Sequence, residues 1–419
     1  MPPKENPKKY SRIFGVVTAI VGVLMFVVIF SLAIYGGGNL LIGLFDKSSI
    51  FNNEVDSITS GDVSILNAIE DFIKQASSTQ IVATSPVALP TTTTNYSDAP
   101  YSDTQYVIFS LDGSRSLNMW NETRQFSKDM IAKGKPIHFT YFINPIYLIT
   151  REKAKSVYQP PRDRMGGSLI GYANNEQDVK NRVEQIDAAF VEGHEIGSHN
   201  VGHFNGSKWS KDEWIQESNS FDSIIANVQK NNPNVVIPAW SFGLSEFVGF
   251  RAPELGVNNN LYKALAEKKY LYDSSGMRMP TKYPTKDKDG IWHIGLGIIK
   301  VKDLHSGLNN PKALGRTSYV LSMDYNFWMA QSKVKNVAKK GTPLWNSFYS
   351  EMKDAYLDYF NKNYEGNHAP VVIGHHFSTW NDGVYWEAMK SFAEDVCGKP
   401  KVKCVTFKEY VGYLNSTVK

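Results

Sequence analysis

Residues 193–203 read Gly-His-Glu-Ile-Gly-Ser-His-Asn-Val-Gly-His, and this stretch places His199 and His203 four positions apart. Two imidazoles at this spacing can turn towards one point, and neutral imidazole is the commonest protein ligand of a catalytic metal. Only nine histidines occur in the 419 residues, and five of them fall here and at 375–376. Because a His-x3-His spacing also recurs on ordinary helix faces, the spacing alone marks candidates and not yet a metal site.

The overall composition indicates a globular protein with a substantial core. Hydrophobic residues make up 42% of the chain and aromatic residues 13%. The length of 419 residues exceeds one small domain, although roughly 250 to 300 residues can form a single barrel-type domain. With 45 basic and 41 acidic residues, the net charge of +4 gives no reason to expect a nucleic-acid partner.

An uncharged segment at 13–35 predicts a transmembrane helix after a cytoplasmic tail at 1–12. A helix of this length, at about 1.5 Å per residue, slightly exceeds the roughly 30 Å hydrocarbon core of a bilayer. A cleaved signal peptide is the alternative, but its apolar region normally has about 7 to 15 residues and ends at a small-residue cleavage site. Ser31-Leu32-Ala33 is a poor version of such a site.

The charges around this segment predict its orientation. The residues before it include Lys4, Lys8, Lys9 and Arg12, whereas the next charge after it is Asp46. The positive-inside rule therefore places the N-terminus in the cytoplasm. We expect a membrane-anchored protein whose remaining residues are extracytoplasmic, either periplasmic or extracellular.

The two cysteines, Cys397 and Cys404, stand seven positions apart around a plausible turn at Gly398-Lys399-Pro400. In an oxidising compartment this spacing predicts one local disulfide. The alternative is a pair of buried thiols. Two cysteines alone cannot complete a zinc site.

Between the membrane segment and the main domain, residues 36–100 predict a short helix and a linker. Apolar residues recur with a helical period at 62–77. Ser, Thr and Pro then dominate 78–100, a composition that does not build a core. We therefore predict a single catalytic domain at 101–419.

Within that domain, predicted strands alternate with predicted helices. The strands are expected at 106–111, 138–143 and 371–374, and the helices at 122–132, 177–191, 258–268 and 386–396. This alternation predicts a parallel sheet with helical crossovers, an α/β fold. In such folds the functional residues lie at the carboxyl ends of the strands.

Polar residues follow several of these apolar runs. They are Asp112, His199 with His203, Arg251 in Arg251-Ala252-Pro253, Asp273, and His375-His376. Each alone has an ordinary structural explanation, such as an Asp-Gly turn, a capping histidine or a buried core residue. Their common position at strand ends makes them candidates as a group.

In this order the candidates resemble the polysaccharide deacetylase family, of the NodB-homology or carbohydrate esterase family 4 type. The family pattern runs through an Asp at a strand end, a Gly-His-Glu-Ile-Gly-x-His segment with His-x3-His, an Arg-x-Pro, an Asp after a strand, and a late strand-ending His. The resemblance covers roughly residues 101–414, and the histidine segment is its specific part. It implies a deformed (β/α) barrel of the NodB type.

The resemblance also implies hydrolysis of N-acetyl groups on the amino sugars of a polysaccharide, such as peptidoglycan, a chitin-like chain or an exopolysaccharide. It implies one divalent metal, Zn²⁺ first and otherwise Co²⁺, Ni²⁺ or Mn²⁺, which lowers the pKa of bound water from about 16 towards about 7. The implied metal ligands are Asp112, His199 and His203. The implied catalytic residues are Asp112, Arg251, Asp273, His375 and His376, with a late histidine protonating the leaving amine.

The first motif departs from the family pattern. The family has Thr-Phe-Asp-Asp-Gly, with one aspartate as base and one as metal ligand, whereas this chain has Ser110-Leu111-Asp112-Gly113-Ser114. Asp112 matches the ligand if Leu111 stands in place of the base, or the base if the ligand is missing. We prefer the ligand assignment, because two neutral imidazoles alone leave a dication uncompensated. Asp273 or Glu254 could then replace the base.

Two further features bear on the substrate. Residues 158–175, rich in Pro, Arg and Gly, are typical of a substrate loop, and Trp380 is the best candidate for stacking on a sugar ring. The alternative function is a catalytically weak or inactive glycan-binding envelope protein on the same fold. A phosphoester hydrolase would need a second metal site or a phosphate-binding loop, and the sequence indicates neither.

Overall fold

The computed structural model describes residues 103–302, 304 and 318–417 of the chain. The predicted cytoplasmic tail, transmembrane helix, juxtamembrane helix and linker, at 1–100, lie outside the described residues. In the part that is described, no helix is both long enough and apolar enough to cross a membrane. The membrane anchor and the localisation that follows from it therefore stay predictions.

The strands form a curled sheet, and the fold is a mixed α/β fold with a half-barrel. Its strands are β1 (Gln105–Asp112), β2 (Phe139–Ile143), β3 (Glu195–Ser198), β4 (Gly249–Phe250), β5 (Tyr272–Asp273), β6 (Met277–Arg278), β7 (Thr285–Lys286), β8 (Trp292–His293), β9 (Leu296–Val301), β10 (Ser318–Leu321), β11 (Val371–His376) and β12 (Val402–Val405). The main sheet has the order β11-β1-β2-β3-β4-β5-β8-β7, with β12 beside β1. Only β7 pairs antiparallel in it. A second sheet has the order β10-β9-β6.

The helices follow the strands as the alternating sequence predicts. They are α1 (Leu117–Ala132), α2 (Arg151–Val157), α3 (Glu176–Val191), α4 (Lys211–Ala226), α5 (Val228–Asn231), α6 (Asn259–Glu267), α7 (Asp324–Ser332), α8 (Pro343–Tyr364), α9 (Trp380–Val396) and α10 (Phe407–Thr417). Helix α1 begins earlier than its apolar pattern indicates, because the Ser116 hydroxyl accepts the Met119 N–H at 3.3 Å and caps it.

Two cores lie on opposite faces of the sheet. The outer core packs the long helices against one face and includes Phe109 and Leu111. The inner core fills the concave face and includes Ile108, together with Phe407 and Leu414 of α10. Successive side chains of a strand point to opposite faces. Asp112 and Ile108 are an even number of residues apart in β1, so Asp112 belongs to the inner face with Ile108.

The predicted disulfide is confirmed: Cys397 is bonded to Cys404. Cys397 directly follows α9, and Cys404 lies in β12. Because β12 pairs with β1, the bond ties the last crossover helix to the strand that carries Asp112.

The Cys397→Ala/Cys404→Ala double variant should lose about 2 to 3 kcal/mol of stability, because the bond closes a short loop in the unfolded chain. Thermal melting of the full-length protein in detergent would measure the loss. A reductant should lower the melting temperature of the wild type and leave that of the double variant unchanged. Equal melting of the two proteins under oxidising conditions would contradict this role.

Candidate active site

A buried ion pair joins the ends of β1 and β4. Arg251 Nη1 donates to Asp112 Oδ1 at 2.7 Å, and the side chains are 0% and 3% exposed. The rest of the guanidinium is also engaged, because Nε donates to the Ser274 carbonyl at 3.2 Å and Nη2 to the Ser274 hydroxyl at 2.8 Å. The Phe142 ring lies 4.5 Å below it. Arg251 is therefore fixed in one orientation and compensates the charge of Asp112.

The register of β1 distinguishes the two alignments of the first motif. Leu111 packs in the outer core, so a carboxylate at that position would not share the inner face with Arg251. Asp112 shares the inner face with Arg251 and is its carboxylate partner. Gly113 then stands where the second aspartate of the family would be, with a positive φ of 85°. This geometry favours the base role for Asp112 over the ligand role that we preferred from the sequence.

The histidine segment follows β3 and lies beside this ion pair. The buried His199 places Nδ1 2.7 Å from the Arg251 carbonyl oxygen. Since a carbonyl only accepts, Nδ1 carries the proton and Nε2 keeps its lone pair. Burial lowers the pKa of His199 to about 3, so the ring is neutral at physiological pH. The His203 ring lies 5.0 Å from the His199 ring, at 70° to it.

A buried glutamate on α4 holds the turn between these histidines. Glu217 Oε1 accepts the Val201 N–H at 2.9 Å, and the Tyr158 hydroxyl donates to the same carboxylate at 2.9 Å. That hydroxyl also accepts the Gly202 N–H at 3.1 Å. These hydrogen bonds stabilise the turn, in which His203 has a positive φ of 62°, a backbone conformation that is uncommon for residues other than glycine.

The donors in the described part of the chain do not complete a catalytic metal site. Such a zinc site normally takes three protein ligands. The structure brings His199 and His203 together, but within residues 103–302, 304 and 318–417 no three His, Cys, Asp or Glu side chains are placed to hold one ion. Asp112 is engaged with Arg251. Of the implied ligands Asp112, His199 and His203, the two imidazoles lie together, whereas the Asp112 carboxylate is bound to Arg251.

Asp324, at the start of α7, anchors the late histidines. It is fully buried, and its Oδ1 lies 2.7 Å from His376 Nδ1, while Oδ2 accepts the His376 backbone N–H at 3.0 Å. Burial alone would raise the pKa of Asp324, but the facing imidazoles of His375 and His376 and the His376 hydrogen bonds lower it to about 2. The sequence analysis did not identify this residue, although it follows the short apolar run at 319–321.

The adjacent histidines have different surroundings. His376 is 22% exposed and is paired in register with Asp112 across β1 and β11, so the two share one face. His375 is paired with Leu111, is completely buried, and packs against Trp386 with 5.6 Å between ring centroids. Burial lowers the pKa of His375. Of the two predicted catalytic histidines, the structure brings His376 to Asp112.

Asp273 belongs to a different cluster. Its carboxylate accepts the Ser275 hydroxyl, and His293 Nδ1 lies 3.8 Å away. The Ser275 hydroxyl in turn accepts the Ala252 N–H at 2.7 Å, which fixes the Arg-x-Pro turn. The structure therefore gives Asp273 a supporting position behind Arg251. Glu254 accepts the Asn205 side-chain amide at 3.0 Å.

Trp380 does not offer a free face to a sugar. It stacks on Trp328 with 4.1 Å between ring centroids and 14° between planes, and it is 7% exposed. Tyr325 and His376 contact it as well.

The predicted substrate loop at 158–175 packs on the histidine segment, where the Leu169 N–H donates to the Gly202 carbonyl at 3.0 Å.

No protein-family model and no curated protein matches the chain. Several solved structures do. A protein from Mycobacterium smegmatis described as a polysaccharide deacetylase is 15% identical, covering 80% of this chain and 96% of its own at a TM-score of 0.44. The allantoinase PuuE is 14% identical, covering 79% and 99% at a TM-score of 0.44. The peptidoglycan deacetylase PdaC from Bacillus subtilis is 12% identical, covering 75% and 92% at a TM-score of 0.36.

These matches include polysaccharide deacetylases of carbohydrate esterase family 4, the family that the sequence resembles. At identities of 15% or less and TM-scores below 0.5, the function has to be inferred from the residues of this chain.

Glu217 should make the stability of the domain depend on pH. Burial raises the pKa of Glu217 to about 7, against about 4.3 in an unfolded chain. Between these values the folded state holds a proton that the unfolded state has lost, so stability falls as the pH rises through this window. Glu217→Gln removes the titration. The melting temperature of the variant relative to that of the wild type should therefore rise as the pH is raised from about 5 to about 8.

Glu213→Gln is the matched control, since it lies on the same helix and hydrogen bonds from Arg162 lower the pKa of Glu213 to about 2. Its difference from the wild type should be the same at both pH values. A pH-independent difference for Glu217→Gln would contradict the assignment.

Proposed function

We propose that this chain removes N-acetyl groups from the amino sugars of an extracytoplasmic polysaccharide by hydrolysing the amide bond. One observation carries the proposal: Asp112 and His376 end neighbouring parallel strands and lie on the same face. Asp112 is held by the buried Arg251, and His376 is held by the buried Asp324. A base and an acid held side by side are what the hydrolysis of an unactivated amide requires.

In this proposal Asp112 is the general base. Its carboxylate takes a proton from the attacking water as the water oxygen bonds to the acetyl carbon. Arg251 positions the carboxylate, because its three other contacts, two with Ser274 and one with the Phe142 ring, hold the guanidinium in place. A positioned base contributes about 10² to 10⁴ in rate.

His376 is the general acid. Its Nδ1 faces the Asp324 carboxylate, which orients the ring and stabilises the imidazolium, so the proton that it transfers is carried by Nε2. This proton goes to the sugar nitrogen as the carbon–nitrogen bond breaks. Acetate and a free amino sugar are the products.

Peptidoglycan, a chitin-like polymer and an exopolysaccharide all carry the required N-acetyl group, and an extracytoplasmic domain behind a membrane anchor at 13–35 would reach any of them. The expected Zn²⁺, Co²⁺, Ni²⁺ or Mn²⁺ is not assigned a step, because the donors within 103–302, 304 and 318–417 do not complete its site.

A glycan-binding protein without catalysis is the second candidate. The observation that favours it is Gly113, since the family pattern has a carboxylate at that position. Acetate release distinguishes the two functions directly.

The full-length protein in detergent should release acetate from N-acetylated oligosaccharides or from peptidoglycan. Asp112→Asn should lower the rate by about 10² to 10⁴, because the amide cannot accept the proton of water. Asp358→Asn, which removes an exposed carboxylate paired with Lys302, is the control and should stay within about twofold of the wild type. No acetate release from any of these polymers would overturn the catalytic proposal in favour of glycan binding.

His376→Gln should slow the hydrolysis of acetamido sugars by about 10² or more, because the amine leaves as an unprotonated anion. On p-nitrophenyl acetate, whose leaving group needs no proton, the same variant should lose far less, whereas Asp112→Asn should lose rate on both substrates. Comparable losses of His376→Gln on the amide and the ester would rule out its role as acid.

A further inference from the structure

We infer that the histidine pair, His199 and His203, retains no catalytic metal in this protein, and that Asp112 activates the hydrolytic water without one. The inference rests on the proposed function for its second half only. Its first half concerns the donors around the pair and is tested without any measurement of activity.

The pair itself has the features of metal ligands. His199 donates its Nδ1 proton to the Arg251 carbonyl and therefore presents the Nε2 lone pair. Metal-bound histidines commonly make such a bond through the second nitrogen. Among the residues that the structure describes, the pair lacks a third ligand and a negative charge, and two neutral imidazoles alone leave a dication uncompensated.

Asp112 does not supply that charge. Its carboxylate already balances the guanidinium of Arg251 at 2.7 Å, in a site where both side chains are almost completely buried. Sharing it with a dication would place three positive charges around one carboxylate in a poorly solvated site, which is strongly unfavourable.

Three other carboxylates of this region and one oxygen of a fourth, Asp273, make structural contacts, whereas Asp273 Oδ2 is buried without a hydrogen-bond partner. Glu217 holds the turn at 201–202, Asp324 holds His376, Asp273 binds the Ser275 hydroxyl, and Glu254 binds Asn205. This agrees with the lack of any group of three potential ligands in the described part of the chain.

Gly113 is the position where a ligand is missing. It directly follows Asp112, and a Cβ built there would meet no atom within 4 Å. The loop therefore has room for the first carbon of a side chain. The positive φ of 85° makes any substitution strained, but aspartate and asparagine tolerate positive φ better than most residues.

Without a metal, His199 would have a different role in the site. The fixed Nε2 lone pair of His199 can accept a hydrogen bond from water or a sugar hydroxyl, and its Nδ1 proton holds the Arg251 backbone. His199 would thus position the substrate side of the site and the arginine that orients Asp112.

Zinc content of the full-length protein tests the inference. The protein is purified in detergent with a tag that contains no histidine, incubated with excess Zn²⁺, desalted and analysed by mass spectrometry for metal. Wild type should keep less than about a tenth of an ion per chain, since two ligands fall short of the three of a retained zinc. Gly113→Asp should keep about one ion per chain.

Gly113→Asn is the matched control, because it has the same shape and backbone strain without the charge, and it should resemble the wild type. A wild type that keeps about one ion, and loses it in His199→Ala, would overturn the inference. A folded Gly113→Asp that keeps no more zinc than Gly113→Asn would overturn the assignment of the missing ligand. If both variants fail to melt cooperatively, the wild type and His199→Ala still decide the first half.

Acetate release by the wild type with and without a chelator tests the second half, and it should be unchanged. Activity that a chelator abolishes and Zn²⁺ restores would refute it. An absence of acetate release under both conditions would refute the proposed function, while the zinc content would still stand as the test of the histidine pair.

Discussion

The site depends on one interaction, the buried ion pair of Arg251 with Asp112. It joins strands that are distant in sequence, and the other two nitrogens of the guanidinium, Nε and Nη2, donate to Ser274 and fix its position. Removing one partner of a buried pair commonly costs about 3 to 5 kcal/mol, because the remaining charge is left uncompensated. The pair therefore fixes the position of the Asp112 carboxylate, and in the proposed function it decides whether that carboxylate acts as a base or as a metal ligand.

Around this pair the fold supports the site from behind. Asp273 and Ser275 hold the turn that follows Arg251, Glu217 holds the turn between the histidines, and Asp324 orients His376. These supporting groups are buried carboxylates whose hydrogen bonds are made to backbone, hydroxyl or imidazole groups. Because these carboxylates are already hydrogen-bonded within the fold, few acidic side chains of the site can bind a metal ion.

The sequence predicted the parallel α/β sheet, because strands such as β1 and β11 are continuous apolar runs, and it predicted the disulfide from a seven-residue spacing. It placed the candidates at strand ends, since apolar runs and the points where they end are local properties of the sequence. It could not rank Asp273 against Asp324, because both follow short apolar runs and only their partners across the sheet differ. Nor could it show that Trp380 is covered, since Trp328 lies far away in sequence.

The central claim is that Arg251 and Asp112 act as one unit, with Asp112 as the base, and a double-mutant cycle on acetate release tests it most directly. Rates are compared for the wild type, Arg251→Met, Asp112→Asn and the double variant. If the arginine acts through the carboxylate, the double variant should be no slower than Asp112→Asn, because the second change has nothing left to position. Losses that multiply in the double variant would contradict the account.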